Sequence, residues 1–147
     1  MIRRGRFYAR GEALAPALVL SEPLSFWGGV EVETGGIVDR SHPGHGKSLA
    51  GQILVMPCGR GSSSSSSVLA ETTRRGVGPA GIILARPDPI LTVGSIVAHS
   101  LYNLHCPIVV CSIDGIATGD RVRISAQPGD NEDVAIIHVR VGLGVDP

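Results

Sequence analysis

The stretch PCGRGSSSSSSVLAE, residues 57–71, contains the residues best suited to chemistry in this sequence. Its glycines at 59 and 61 permit a tight turn and a close approach of the backbone to a ligand. Serines supply hydroxyl groups, and the backbone N–H groups at the start of a helix attract anions. We predict an anion-binding loop rather than a flexible linker, because neither flanking segment is long enough to fold alone. A serine that only caps the helix, without further function, is the alternative.

Other motifs in the sequence are weaker. GRGSSS lacks the third glycine of a dinucleotide-binding loop, and SHPGHGKS has Ser41 where a phosphate-binding loop needs glycine. His42 and His45 stand three apart without a further ligand-type residue near them, so we expect exposed loop histidines and no metal site. The three cysteines form no C-x-x-C pair, and we expect free thiols with no catalytic role.

Aromatic residues are concentrated in LSFWGG, residues 24–29. Phe26 and the chain's one tryptophan, Trp27, directly precede two glycines. This arrangement is compatible with a mobile aromatic lid over a site and equally with an aromatic pair that anchors the loop to the core.

Composition limits the classes of function. The 147 residues carry 13 basic and 13 acidic side chains and few aromatics, so we expect no nucleic-acid partner. No apolar stretch is long enough to cross a membrane or to act as a signal peptide. We expect residues 1–147 to form one domain of a soluble cytoplasmic protein.

The elements that must position the loop change character along the chain. The first half reads as short strands, and the second alternates strands with helices before a final antiparallel pair. The predicted elements are strands at 11–20 and 49–56, a hairpin at 30–40 turning at Gly35 and Gly36, helices at 68–75 and 90–103, strands at 80–85 and 107–112, and a pair at 118–126 and 134–141 around the polar turn 127–133.

With these elements in place, CGRGSS between a strand and a helix resembles the G-x-G-S-S-R-E loop in the swivelling domain of aconitase and of isopropylmalate isomerase small subunits. From about Gly5 to Ser112 the chain is similar to the swivel domain, or small subunit, of aconitase X. That family has PLSF-x-GGV, G-x-S-x-AG-x-ILV-x-P and G-[RK]-GS in this order. The resemblance implies an α/β fold, a single swivelling β/β/α domain.

The resemblance also implies roles for particular residues. The serine that acts as general base in the family falls on Ser62, and we expect Arg60, Gly61, Ser63 and Trp27 to bind substrate. Ser64 stands where the aconitase loop has a carboxylate-binding arginine, so we expect no tricarboxylate substrate.

The function implied is that of the small subunit of a heteromeric hydro-lyase, active only with a large aconitase-like subunit. The uninterrupted serines are more similar to the bacterial branch that dehydrates cis-3-hydroxy-L-proline to Δ1-pyrroline-2-carboxylate. The alternatives are the small subunit of phosphomevalonate dehydratase and a non-catalytic swivel module that binds an anion. This chain has no three-cysteine constellation, so we expect an iron or iron–sulfur cluster to be held by the large subunit.

Overall fold

The computed structural model describes residues 1–129 and 133–142. Their strands and helices, in chain order, are β1 (Ile2–Ala9), β2 (Gly11–Val19), β3 (Ile53–Met56), α1 (Ser65–Arg74), β4 (Gly81–Leu84), α2 (Pro89–Tyr102), β5 (Ile108–Val110), β6 (Arg121–Ala126) and β7 (Val134–Arg140).

The strands close into one barrel in the order β1-β5-β4-β3-β2-β6-β7. From β2 through β3 and β4 to β5 the neighbours are parallel, and the remaining pairs are antiparallel. The sequence explains this division. β3 and β4 read ILVM and GIIL and are buried at every position, as parallel strands covered on both faces must be. β6 and β7 alternate buried and exposed residues, which is typical of antiparallel strands with one face on the core and the other in solvent.

Two apolar clusters lie on the two faces of the sheet. One fills the barrel and includes Ile53, Val55, Ile83 and Ile124. The other lies under the helices and joins Leu54 and Met56 to residues of α1 and α2. The helices pack so closely that a side chain at Gly94 of α2 would collide with the Ser66 carbonyl of α1. The α/β prediction is therefore confirmed.

The predicted hairpin at 30–40 is wrong. In place of two paired strands, the segment has a single bridge between Val30 and Ile37, and Gly36 bridges to Ser48. Gly35 does turn, with φ of +75°, but it is buried against the Val77 carbonyl. Contacts with distant segments replace the strand pairing that the local sequence predicts.

β1 was not among the predicted elements, because only Phe7 and Ala9 of its residues are buried and its apolar pattern is therefore weak. The remaining elements agree with the predictions except at their ends. α1 begins at Ser65 and not at Val68, and it ends before Gly76, whose φ is +75°. The predicted polar turn at 127–133 lies partly outside the described residues, which omit 130–132. Among the described residues, no helix has the length and apolar character needed to cross a membrane.

Candidate functional site

Two loops meet at the carboxyl edge of the parallel strands. The Gly-Ser loop, residues 57–64, joins β3 to α1, and the β4–α2 loop, residues 85–88, joins β4 to α2. Because β3 and β4 are parallel, their carboxyl ends and the amino ends of both helices share one edge. The N–H groups of Ala85 and Arg86 donate to the Pro57 carbonyl at 3.0 and 3.2 Å and tie the loops together.

The glycines of the Gly-Ser loop are required by close backbone contacts. A side chain at Gly59 would collide with the Asp88 carboxylate. Gly61 has a φ of +98°, and a side chain there would collide with the Ser25 hydroxyl. The loop is therefore held in one conformation from both sides by contacts with other segments of the chain, and these contacts require the two glycines.

The serines of the tract have different surroundings. Ser62 is half-buried, and its Oγ accepts the N–H of Ser64 at 3.1 Å. Ser64 occupies the N-cap of α1, but its side chain makes no capping hydrogen bond. Ser66 and Ser67 donate their hydroxyls to carbonyls three residues earlier, each at 2.8 Å. A serine side chain does satisfy a donor at the start of the helix, as the capping alternative predicted, but it is Ser62 that accepts the N–H of the N-cap residue Ser64.

Anion-binding potential remains at the start of the helix. Ser63 is exposed, and the described residues offer no hydrogen-bond acceptor to the N–H groups of Ser62 and Ser63. Both groups precede α1, whose aligned peptide dipoles place partial positive charge at this end. The turn can therefore stabilise negative charge on a ligand or on the Ser62 oxygen.

A pocket of about 490 Å³ opens beside the two loops. Apolar side chains, including Leu24, Phe26 and Leu91, form much of its wall. The polar lining consists of Cys58, Arg60, Ser65, Arg86 and Asp88. Of the predicted site residues, Arg60 and Gly61 belong to this wall, whereas Ser62, Ser63 and Trp27 do not.

The two aromatic residues differ in burial. Phe26 is buried and anchors the loop, whereas the Trp27 side chain is 57% exposed. The Trp27 N–H donates to Ser65 Oγ at 3.0 Å, and Ser25 donates its hydroxyl to the Trp27 carbonyl at 2.9 Å. Ser65 therefore connects the tryptophan backbone to the wall of the pocket, while the indole ring stays free to contact a ligand.

The two arginines of the pocket differ in their partners. Arg60 lies 3.8 Å from the Asp39 carboxylate. Hydrogen bonds from Ser41 are the main cause that lowers the pKa of Asp39, and the charge of Arg60 adds to it. Arg86 Nη2 lies 3.1 Å from the Cys58 sulfur.

The two histidines of residues 41–48 have different surroundings. His45 is exposed as predicted, but His42 is buried, so that prediction is wrong for His42. Its Nδ1 accepts the Gly44 N–H at 2.8 Å, and its Nε2 donates to the Glu22 carbonyl at 3.1 Å. Across the described part of the chain, no three His, Cys, Asp or Glu side chains are grouped closely enough to hold a metal ion.

With this geometry established, the comparison with protein families is decisive. Residues 2–134 match the model described as the aconitase X swivel domain. The chain belongs to the aconitase X swivel domain family. The predicted fold and family are thereby confirmed.

Relatives of this swivel domain carry two kinds of name. The chain is 44% identical over 103 residues to a cis-3-hydroxy-L-proline dehydratase of Pseudomonas aeruginosa, covering 70% of this chain. It is 38% identical over 132 residues to a phosphomevalonate dehydratase small subunit of Pyrococcus horikoshii, covering 89% of this chain. It spans only 18% of the length of the first relative but 91% of the second.

A solved structure agrees with the fold. The crystal structure of Thermococcus kodakaraensis aconitase X in its holo form superimposes with a TM-score of 0.81 at 31% identity, covering 94% of this chain and 98% of that one.

Sequence reasoning missed three polar residues of the pocket: Ser65, Arg86 and Asp88. Asp88 had a usable signal, because an Asp directly before a proline at the first helical position is typical of a helix start. Nothing local distinguishes Arg86 or Ser65, since their positions depend on how the two loops and residues 25–27 pack together.

Proposed function

We propose that this chain is the small subunit of an aconitase-X-type hydro-lyase that dehydrates cis-3-hydroxy-L-proline to Δ1-pyrroline-2-carboxylate. The observation that carries the proposal is the tight Gly61–Ser62 turn, which lies at the amino end of α1 and beside an arginine-bearing pocket. The names of the relatives support the reaction class. Both names describe the dehydration of a 3-hydroxy carboxylic acid.

Ser62 is the proposed general base. It takes the proton from the carbon next to the carboxylate, the electrons of that C–H bond form a carbon–carbon double bond, and the C–O bond of the 3-hydroxyl breaks. The departing hydroxyl and the proton on Ser62 together make up the water that is lost. The resulting cyclic enamine then tautomerises, with a proton moving from nitrogen to carbon 3, to give the C=N double bond of Δ1-pyrroline-2-carboxylate. A serine alkoxide is too basic to form unaided. The N–H of Ser64 at 3.1 Å from Ser62 Oγ, and the amino end of α1, both favour the charged form.

The described residues do not fit an iron or iron–sulfur cluster, because they contain no suitable group of three ligands. We propose that the cluster belongs to the large subunit, where it would assist the departure of the hydroxyl. This chain would contribute the base and part of the substrate pocket.

An exposed apolar stripe on α2 supports a partner subunit. Ile90, Val93, Val97 and Leu101 follow one another at spacings of three and four residues and so share one face of the helix. Val93 is 51% exposed and Leu101 is 66% exposed, although both are apolar. The stripe begins at Ile90, which lines the pocket, so a subunit that covers it would also close the site.

The proline ring of the proposed substrate suits the apolar wall formed by Leu24, Phe26 and Leu91. The second candidate is the small subunit of phosphomevalonate dehydratase. It is favoured by coverage, since the chain spans 91% of that relative but 18% of the hydroxyproline dehydratases. The two candidates share the base and differ in the substrate.

The test is an assay of the chain reconstituted with a large aconitase-like subunit, offered cis-3-hydroxy-L-proline and phosphomevalonate separately. We expect turnover of the former, and Ser62→Ala should lower it by about 10²- to 10⁴-fold. Ser67→Ala is the matched control, because its exposed hydroxyl bonds only within the start of α1. Ser65 is unsuitable as a control because it is buried and holds the Trp27 backbone.

Near-normal turnover by Ser62→Ala, or equal losses in both variants, would remove the base assignment. Turnover of phosphomevalonate alone would select the second candidate. An assembled complex that dehydrates neither acid would leave the non-catalytic anion-binding module as the function.

A further inference from the structure

The two arginines of the pocket are not equivalent as anion receptors. Arg60 already lies 3.8 Å from a carboxylate, that of Asp39, which offsets part of its charge. Among the described residues, Arg86 has no carboxylate within 4.0 Å, and its guanidinium contacts the Cys58 sulfur instead. A thiol does not neutralise a guanidinium. Arg86 is therefore the cation of the pocket whose charge is least compensated.

The backbone that carries Arg86 is held in place. Its N–H donates to the Pro57 carbonyl at 3.2 Å, which fixes it to the Gly-Ser loop. Pro87 and Pro89 restrict the backbone on both sides of Asp88, whose carboxylate accepts the N–H groups of the first turn of α2. A guanidinium on such a support loses little backbone freedom when it binds a ligand.

Asp88 does not cancel the charge of its neighbour. Its Oδ1 accepts the N–H groups of Ile90 and Leu91, both at 3.0 Å, and so is directed into the helix. Its Oδ2 lies against the backbone of Gly59. One carboxylate oxygen is thus turned toward the backbone of α2 and the other toward the backbone of the Gly-Ser loop.

We infer that Arg86 binds the carboxylate of the 3-hydroxy acid, an inference that rests on the proposed function. Removal of the proton beside a carboxylate pushes negative charge onto the carboxylate oxygens. A planar guanidinium meets those two oxygens with two parallel hydrogen bonds and stabilises the charge as it develops. Arg86 would therefore act on both binding and the rate of elimination.

The experiment uses the complex with the large subunit and the variants Arg86→Gln, Arg86→Lys, Arg60→Gln and Arg123→Gln. On whichever 3-hydroxy acid the wild type dehydrates, we expect Arg86→Gln to lower kcat/KM by about 10²-fold or more, with kcat lowered and KM raised. Arg86→Lys should recover only part, because lysine keeps the charge but not the paired geometry. Arg60→Gln should lower kcat/KM less than Arg86→Gln does, because the Asp39 carboxylate already offsets part of the Arg60 charge. The matched control is Arg123→Gln on β6, which should leave kcat/KM within about twofold of the wild type.

A binding measurement separates this inference from the proposed function. Pyrrole-2-carboxylate and its neutral amide, pyrrole-2-carboxamide, are titrated calorimetrically into the same complexes. We expect the wild type and Arg60→Gln to prefer the carboxylate at least tenfold and Arg86→Gln to lose that preference. A wild type without the preference, or an Arg86→Gln complex that keeps it, overturns the inference. If neither acid is dehydrated yet the Arg86-dependent preference persists, the proposed reaction fails and the anion site stands.

Discussion

The barrel carries two concave surfaces that are built in opposite ways. The pocket at the parallel edge, of about 490 Å³, is formed by two loops and the amino ends of two helices. The other, a cleft of about 620 Å³, lies on the antiparallel strands and includes the cross-strand row Ile2, His138, Arg123 and Leu14. The larger surface is made of strand side chains together with Met1 and Val141, which adjoin the ends of β1 and β7.

The difference shows that cavity size is a poor guide to the site. In the pocket, glycines at close contacts and loop-to-loop hydrogen bonds hold N–H groups and charges in fixed positions. In the cleft, Arg121 and Arg140 face each other across β6 and β7, and like charges in that position are destabilising. Preorganised donors, which electrostatic catalysis requires, occur only in the former of these two surfaces.

The largest expected effect is the difference in thiol reactivity between the exposed edge of the parallel strands and their buried end. Burial raises the pKa of Cys106 from its ordinary 9.0 to about 12, whereas Cys58 is half-buried in the wall of the pocket. A raised pKa means less thiolate at a given pH, and three units correspond to roughly a 10³-fold smaller thiolate fraction. At pH 8 we expect iodoacetamide to label Cys58 much faster than Cys106, as followed by mass spectrometry of peptides, because the Cys106 thiol is buried and forms little thiolate. Comparable labelling rates for Cys58 and Cys106 in the folded chain would show that the reagent reaches the region around Cys106.

The next largest effect is expected when the conformation of the Gly-Ser loop is changed. Gly61→Ala should lower turnover by about 10²-fold, because the new methyl group collides with Ser25 and displaces Ser62. Gly76→Ala at the other end of α1 is the control, since its φ is also positive, at +75°, but nothing lies within 4 Å of the added carbon. Both variants lose about 1 kcal/mol of stability from the backbone strain. Equal turnover in the two would mean that the loop conformation does not matter.

Removing the cap of α2 is expected to have a smaller effect, and it acts on stability. Asp88→Ala should lower the free energy of unfolding by about 1 kcal/mol in urea titrations, because two first-turn N–H groups lose their acceptor. Asp88→Asn should restore most of that loss, since asparagine caps nearly as well. A loss that asparagine does not reduce would contradict the capping role.

The smallest effect is expected on the antiparallel surface. Arg123→Gln removes a charge from the centre of the larger cleft, and we expect kcat and KM of the complex to stay within twofold of the wild type. A tenfold loss, with assembly intact by size-exclusion chromatography, would move part of the site to this surface.

Several features were predictable because they depend on local pattern. The buried runs ILVM and GIIL and the stop at Gly76 are visible in the sequence, and so is the glycine turn before Ser62. The start of α1 was not predictable from the local pattern. Serines usually favour caps and turns, but Ser66 and Ser67 turn their hydroxyls back onto carbonyls of the same turn and so continue the helix. The pocket itself depends on the packing of residues distant in sequence, which brings Arg86 beside Cys58.

The central claim is that the substrate binds at the parallel edge with its reacting carbon facing residue 62. The most direct test is a crystal structure of the Ser62→Ala chain with its large subunit and cis-3-hydroxy-L-proline. We predict that the substrate occupies the pocket beside Gly61, with its carboxylate within hydrogen-bonding distance of the Arg86 guanidinium. Substrate bound in the cleft around Arg123, or bound with its carboxylate away from both loops, would contradict the account.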